Sequence, residues 1–200
     1  GPETKDKSDV WTPECSPADV DSRIEDTVPV SPGQPQLEDQ AGKLSGGGKT
    51  EDDKPLKGKE VPLVHKKAIG KWGEEYVFKA LKKRFERDEE IEDTDFGFRL
   101  KNNSGELIEV YWLNMKSDNG KGYDFVLKMN NEENEYIEVK SKIDENPELI
   151  EITETQFEFA RKLNDEGKGD KYWIYAVVNA GKSEAIIKRF NNPIKLWRDG

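Results

Sequence analysis

Cysteine, histidine and long apolar runs are nearly missing from this chain of 200 residues. Cys15 is the single cysteine and His65 the single histidine. One thiol excludes an internal disulfide framework and a thiolate zinc site. One imidazole, beside Lys66-Lys67, has no second histidine with which to hold zinc and reads as a solvent-facing helix flank. No apolar stretch is long enough to cross a bilayer or act as a signal peptide. The expectation is therefore a soluble intracellular protein with no membrane partner. An excess of positive charge is missing too, because the net charge is −10. That argues against a surface built to grip duplex nucleic acid unselectively.

What is present divides unevenly along the chain. Residues 1–60 hold seven of the ten prolines, a Gly-Gly-Gly run at 46–48, and 14 acidic against 8 basic residues. Large apolar residues are sparse there and follow no period. Such a segment buries too little apolar surface to offset its ordering entropy, so a disordered acidic tail is expected over 1–60. Its Gly1-Pro2 start resembles the scar of a cleaved tag, which makes the chain an excised part of a larger protein. Thr12-Pro13, Ser16-Pro17 and Ser31-Pro32 fit proline-directed phosphorylation, but such pairs are common in tails of this kind. Residues 61–200 hold four of the five tryptophans and all six tyrosines. They are enough chain for one domain with its own core.

Helical spacing of Ile69, Trp72, Tyr76, Ala80 and Leu81 predicts a helix over 64–85. Gly70 and Gly73 weaken it, and close approach to a sheet is a physical reason for their presence. At about 100° per residue, Glu75 projects with Lys71 and Lys82, whereas Glu74 falls among Gly70, Val77 and Leu81. A carboxylate on that arc either snorkels at its boundary or reaches over the sheet toward other acids. Strands are expected at 107–113, 123–129 and 135–142, joined by polar turns into an antiparallel meander. The charged stretch 86–104 reads as a frayed helix end and loop with a turn at 102–105. Thr153-Glu-Thr-Gln156 is a capping-box signature that opens a second helix. The apolar run 172–178 reads as a central strand buried on both faces, and 185–190 as a last strand broken by Asn191-Asn-Pro193. Trp112 and Trp173 lie in strands and are expected in the core rather than stacked on bases. The order is α-β-β-β-α-β-β, a mixed α/β fold without internal repeats.

Within the meander, Asp124, Glu138 and Lys140 form the pattern D-(x)13-E-V-K. Strand alternation puts Glu138 and Lys140 on one face and Val139 on the other. Two carboxylates beside a lysine suit metal-dependent phosphodiester cleavage. Their oxygens hold Mg²⁺ or Mn²⁺, which activates water and steadies phosphoryl charge. The lysine adds positive charge or helps take a proton from the water. A solvated strand face with a cross-strand ion pair satisfies the same spacing.

Five short motifs in this order resemble the PD-(D/E)XK nuclease superfamily and, more closely, the NO VEIN C-terminal domain. They are Ile69-Gly-Lys-Trp-Gly-Glu74, Trp112-Leu-Asn114 with Tyr123-Asp124, Tyr136-Ile-Glu-Val-Lys-Ser141, Ile152-Thr-Glu-Thr-Gln156, and the run 172–178. The resemblance covers about residues 64–198. It implies a restriction-endonuclease-like core, a mixed sheet flanked by helices. It also implies Asp124 and Glu138 as metal ligands, Glu74 as the acid that completes the site, and Lys140 as a catalytic group. Gln156 matches a polar site position of related members and fits the capping box equally well. Ser141 either orients a phosphate or is simply polar. The implied cofactor is Mg²⁺ or Mn²⁺. The implied partners are DNA or RNA, held weakly by this domain alone, and other domains of the parent protein. The nucleus is then one candidate compartment.

One departure concerns charge. The segment 144–148 is acidic where a nucleic-acid path favours basic residues, and only Lys116, Lys121, Lys140 and Lys142 offer a modest basic rim. Three readings stay open at this level. They are a metal-dependent nuclease, a nuclease-like fold that binds nucleic acid or protein without cleaving, and a buried ion network that only stabilises the fold.

Overall fold

The computed structural model describes residues 11–27, 36–39, 62–86, 90–117, 120–145 and 149–195. In chain order these contain β1 (Ile24–Asp26), β2 (Gln36–Asp39), α1 (Leu63–Arg84), β3 (Glu92–Thr94), β4 (Gly97–Lys101), β5 (Leu107–Trp112), β6 (Phe125–Met129), β7 (Glu132–Ser141), β8 (Leu149–Ile152), α2 (Glu154–Asp165), β9 (Tyr172–Val178) and β10 (Ile186–Asn191). Eight strands make one mixed sheet in the order β1-β10-β9-β7-β6-β5-β4-β3, and β2 pairs with β8 separately.

The expected meander β5-β6-β7 is present and longer than the sequence suggests, since β3 and β4 extend it antiparallel. The charged stretch around 92–101 is thus a hairpin and not a loop. Its outer strand is exposed and carries no apolar alternation, which is the signal a strand prediction needs. The turn between β6 and β7 is also tighter than expected. Asn130 and Asn131 both adopt positive φ, 50° and 66°, the backbone of a two-residue hairpin turn. A register shift at Leu127/Lys128 absorbs the mismatch along the pair.

β7 is the hinge of the topology. It runs antiparallel to β6 and parallel to β9, the crossover passing through α2. Alternating residues of β7 and β9 feed two cores. Ile137, Val139, Tyr175 and Val177 join the α1 side, packed against Trp72, Tyr76, Val77 and Leu81. Tyr172, Ile174 and Ala176 join Ala160 and Leu163 on the α2 side. The run 172–178 is buried on both faces as expected, apart from half-buried Trp173.

Residues 11–27 require a correction, because they were expected in a disordered tail. Val20 is 2 % exposed within the α1 core. Trp72 Nε1 donates to the Cys15 carbonyl at 2.8 Å, and Lys79 Nζ donates to the carbonyls of Pro17, Ala18 and Val20. β1 then pairs parallel with β10 and covers that sheet edge. This strap borrows its burial from α1, so its own composition gives no sign of order. The rest of 1–60, β2 apart, lies outside the described residues, as do Asn146–Glu148 and Trp197.

Candidate active site

β7 presents Glu138 and Lys140 to the α2 side, because their odd-numbered neighbours Ile137 and Val139 point into the α1 core. Asp124 stands just before β6. Its N–H donates to the Ile137 carbonyl at 2.8 Å, which sets it beside Glu138 across the strand pair. Asp124 Oδ2 accepts from Val139 N–H at 2.8 Å and Oδ1 accepts from Asn114 Nδ2 at 2.6 Å. The Asp124 and Glu138 carboxyls are neighbours, close enough for each to shift the other's titration.

Burial governs the chemistry of this pair. Glu138 is 5 % exposed. Desolvation first, and the negative charge of Asp124 second, hold its carboxyl well above the usual range. Burial raises Asp124 as well, against the pull of Val139 N–H and the Lys140 charge. Two buried carboxyls in contact favour one shared proton over two charges.

Gln156 joins the pair to Lys140. Its Nε2 donates to Glu138 Oε1 at 2.5 Å, and its Oε1 accepts from Lys140 Nζ at 2.7 Å. The same Oε1 accepts from Thr153 N–H at 3.0 Å, while Thr153 Oγ1 accepts from Gln156 N–H. The two roles weighed for Gln156 are therefore one arrangement, in which the capping box aims the amide into the site. Lys140 Nζ lies 3.6 Å from Glu138 Oε1.

Glu74 arrives from the opposite side. At Gly73 the helix meets the end of β7 so closely that an added Cβ would fall 1.7 Å from Ser141 Oγ. Gly70, in contrast, has no atom within 4 Å of such a Cβ, so close packing explains only one of the two glycines. The approach lets Glu74 Oε1 accept from Trp112 Nε1 at 3.1 Å and from Asn114 Nδ2 at 3.2 Å. One amide nitrogen thus links Glu74 to Asp124. Glu74 and Glu75 are both half-buried, so partners rather than exposure distinguish them.

Asn114 is the residue that sequence reasoning passed over. It lies in one of the quoted motifs, but a search for titratable ligands does not register an amide. Ser141 shares the α1 face with Gly73, and its buried Oγ makes no hydrogen bond among the described residues. It therefore does not face the carboxyl pair. His65 lies in the first turns of α1, roughly two and a half turns before Glu74. Among the described residues no three His, Cys, Asp or Glu side chains form a ready metal cage.

The family model described as "Protein NO VEIN, C-terminal" matches residues 73–189. The chain belongs to the NO VEIN C-terminal family. It is 33% identical over 91 residues to Protein NO VEIN of Arabidopsis thaliana, covering 46% of this chain and 3% of that protein. It is 31% identical over 96 residues to Protein NO VEIN-LIKE of the same plant, covering 48% of this chain and 14% of that protein. The match therefore spans a small part of both relatives. No solved structure matches the chain.

Glu74, Asn114, Asp124, Glu138, Lys140 and Gln156 all fall inside the NO VEIN C-terminal segment, whereas the strap 11–27 precedes it. The remaining lysines of the expected rim are dispersed. Lys116 lies over the Phe96 ring, and Lys121 lines a shallow groove along α2 with Thr155 and Phe159. Asp144 and Glu145 are exposed. Among the described residues no helix is long and apolar enough to cross a membrane.

Proposed function

We propose that this NO VEIN C-terminal domain is a divalent-metal-dependent nuclease of the PD-(D/E)XK type, acting on DNA or RNA inside the cell as one part of a larger protein. The observation that carries this reading is the buried Asp124–Glu138 carboxyl pair, flanked by Lys140 and Gln156. A buried acid pair wants either a proton or a cation between its oxygens. All-oxygen donors suit Mg²⁺ or Mn²⁺, which commonly use one or two carboxylates and complete their shell with water and phosphate. Asp124 and Glu138 would hold the ion, with Glu74 acting directly or through water. When bound, such an ion supplies acidity to a water and positive charge to phosphoryl oxygens.

The chain's own groups do the rest. Val139 N–H and Asn114 fix the orientation of Asp124. Gln156 fixes Glu138 and holds the Lys140 ammonium beside it. Lys140 offsets charge that develops on the phosphoryl group or takes part in proton removal from the attacking water.

The test is cleavage of labelled single- and double-stranded DNA and RNA in Mn²⁺ and Mg²⁺, with Asp124→Ala and Lys140→Ala alongside. Cleavage that disappears in both variants and with chelator supports the assignment. Equal cleavage by the variants, or none by the wild type, removes it for this chain. A second reading, a non-catalytic module binding nucleic acid or protein, draws on the net charge of −10 and the lack of a three-acid cage among the described residues. It predicts Mn²⁺ binding without turnover on any substrate.

A further inference from the structure

The turn between β3 and β4 carries an aromatic that the core does not use. Phe96 is 57 % exposed there, and Met115 beside the site is 43 % exposed. The turn is pinned to the sheet: β4 approaches β5 so closely that a Cβ on Gly97 would fall 2.0 Å from the Val110 carbonyl oxygen. The Phe96 carbonyl accepts from Trp112 N–H at 2.7 Å. Trp112 is the residue whose indole donates to Glu74, and Asn114, two residues on, donates to Asp124. The exposed ring is therefore anchored to the same segment that builds the carboxylate site.

Its surroundings give the patch a chemistry. Tyr111 lies 6.3 Å from Phe96, ring centroid to ring centroid. Tyr111 is on the face of β5 opposite the α1 core, the face that Glu138 and Lys140 share on β7. Lys116 Nζ stands 5.7 Å from the Phe96 centroid, and Lys128 Nζ 5.0 Å from the Tyr111 centroid. Lys116 enters no ion pair among the described residues. Of the acids close by, Glu109 accepts from Tyr111 OH and Glu133 lies 4.0 Å from Lys128, while exposed Asp95 precedes Phe96 in the turn.

We propose that Phe96 and Tyr111, with Lys116 and Lys128, form a platform for single-stranded nucleic acid leading to the carboxylate site. The proposal rests on the nuclease reading for its direction and deepens it by naming the strand state of the substrate. Rings with ammonium groups at their faces offer stacking to bases and positive charge to the phosphates between them. A duplex keeps its base faces stacked inside and has none to give an exposed ring. That selects an unpaired strand, DNA or RNA, as the occupant.

Fluorescence anisotropy of short labelled oligonucleotides, with chelator present to prevent cleavage, tests the platform on the full chain. Single strands should bind more tightly than duplexes of the same sequence. Phe96→Ala should weaken single-strand binding by roughly 5- to 100-fold, the range for one lost base–aromatic stack. Phe96→Trp should retain it, and Lys116→Ala should flatten its salt dependence. The DNA and RNA arms show which strand is preferred. Phe96 is exposed, so an unchanged melting temperature in Phe96→Ala excludes misfolding as the cause. Equal affinity for duplex and single strand, unchanged binding in Phe96→Ala, or no binding of either by the wild type overturns the proposal. So does self-association that Phe96→Ala abolishes, which would assign the patch to a second copy of the chain. Asp124→Ala separates the two readings. Phe96-dependent binding without any cleavage sinks the nuclease and keeps the platform. Asp124-dependent cleavage with unchanged binding in Phe96→Ala does the reverse.

Discussion

At the scale of single residues, Gln156 and Glu138 hold the site in opposite ways. Gln156 satisfies the α2 terminus and the buried carboxyl with one amide. Thr153→Ala removes the cap and should cost about 1 kcal/mol while leaving the Mn²⁺ response unchanged. Gln156→Leu keeps the Thr153 Oγ1 bond, which uses its backbone N–H, but loses the reciprocal bond from Thr153 N–H and strips Glu138 and Lys140 of a partner, so its cost should exceed that of Thr153→Ala by about 1–3 kcal/mol. Urea denaturation of the two variants compares them directly.

Glu138 stores instability instead. Its carboxyl is held up by burial and by Asp124, so in the window between its ordinary and its raised pKa the folded state keeps a proton that the unfolded state releases. Stability from this group therefore falls as pH rises through that window. Glu138→Gln is a neutral mimic of the protonated form. It should be more stable than wild type at neutral pH, by on the order of 1 kcal/mol, and should flatten the downward slope of melting temperature against pH to the part that Asp124 contributes. Bound Mn²⁺ competes with the same proton, so its stabilising effect should grow with pH in wild type and vanish in Glu138→Gln. A metal-induced shift that survives in Glu138→Gln would place the ion elsewhere.

At the scale of elements, the contact of α1 with the end of β7 sets how far Glu74 reaches. Gly73→Ala places a methyl group into Ser141 and should cost at least about 2 kcal/mol, with weaker Mn²⁺ binding as the helix is pushed off. Gly70→Ala meets open space, and helix propensity alone should make it stabilising by up to about 1 kcal/mol. Thermal unfolding of the pair checks both signs at once. A loss in Gly70→Ala as large as in Gly73→Ala would show that the difference in packing is not what governs the helix.

At the scale of the whole molecule, the strap 11–27 completes a core that the NO VEIN C-terminal segment leaves open. Tyr76 OH accepts from Arg23 N–H and faces the carbonyls of Asp21 and Ala185, tying strap, helix and the start of β10 together. Arg189 makes a two-pronged ion pair with Asp26, with its guanidinium over the Trp173 ring. β1 hides the β10 edge that would otherwise be open to strand addition. Val20→Asp buries a charge in this seam and should cost about 2–5 kcal/mol. Because the strap packs on the α1 face and the carboxyl pair opens toward α2, the folded fraction should keep its Mn²⁺ response. Chemical denaturation in the presence and absence of Mn²⁺ measures both.

The sequence by itself determined what depends on local period and chemical type. Helical spacing predicted α1, the run 172–178 predicted β9, and the Thr153–Gln156 box predicted the start of α2. Alternation placed Glu138 and Lys140 on one face, so most of the candidate constellation is legible in the sequence. Only the tertiary structure decided the rest, for reasons of long-range pairing and packing. The β3–β4 hairpin is held by its neighbour β5, and its outer strand β3 shows no apolar alternation of its own. The strap is ordered by the surface of α1, far away in the chain. Asn114 enters the site because a turn after β5 brings an amide between two acids, and Glu74 reaches it only because Gly73 lets the helix approach the sheet. Such contacts are made by distances in space, and no pattern of neighbouring residues records them.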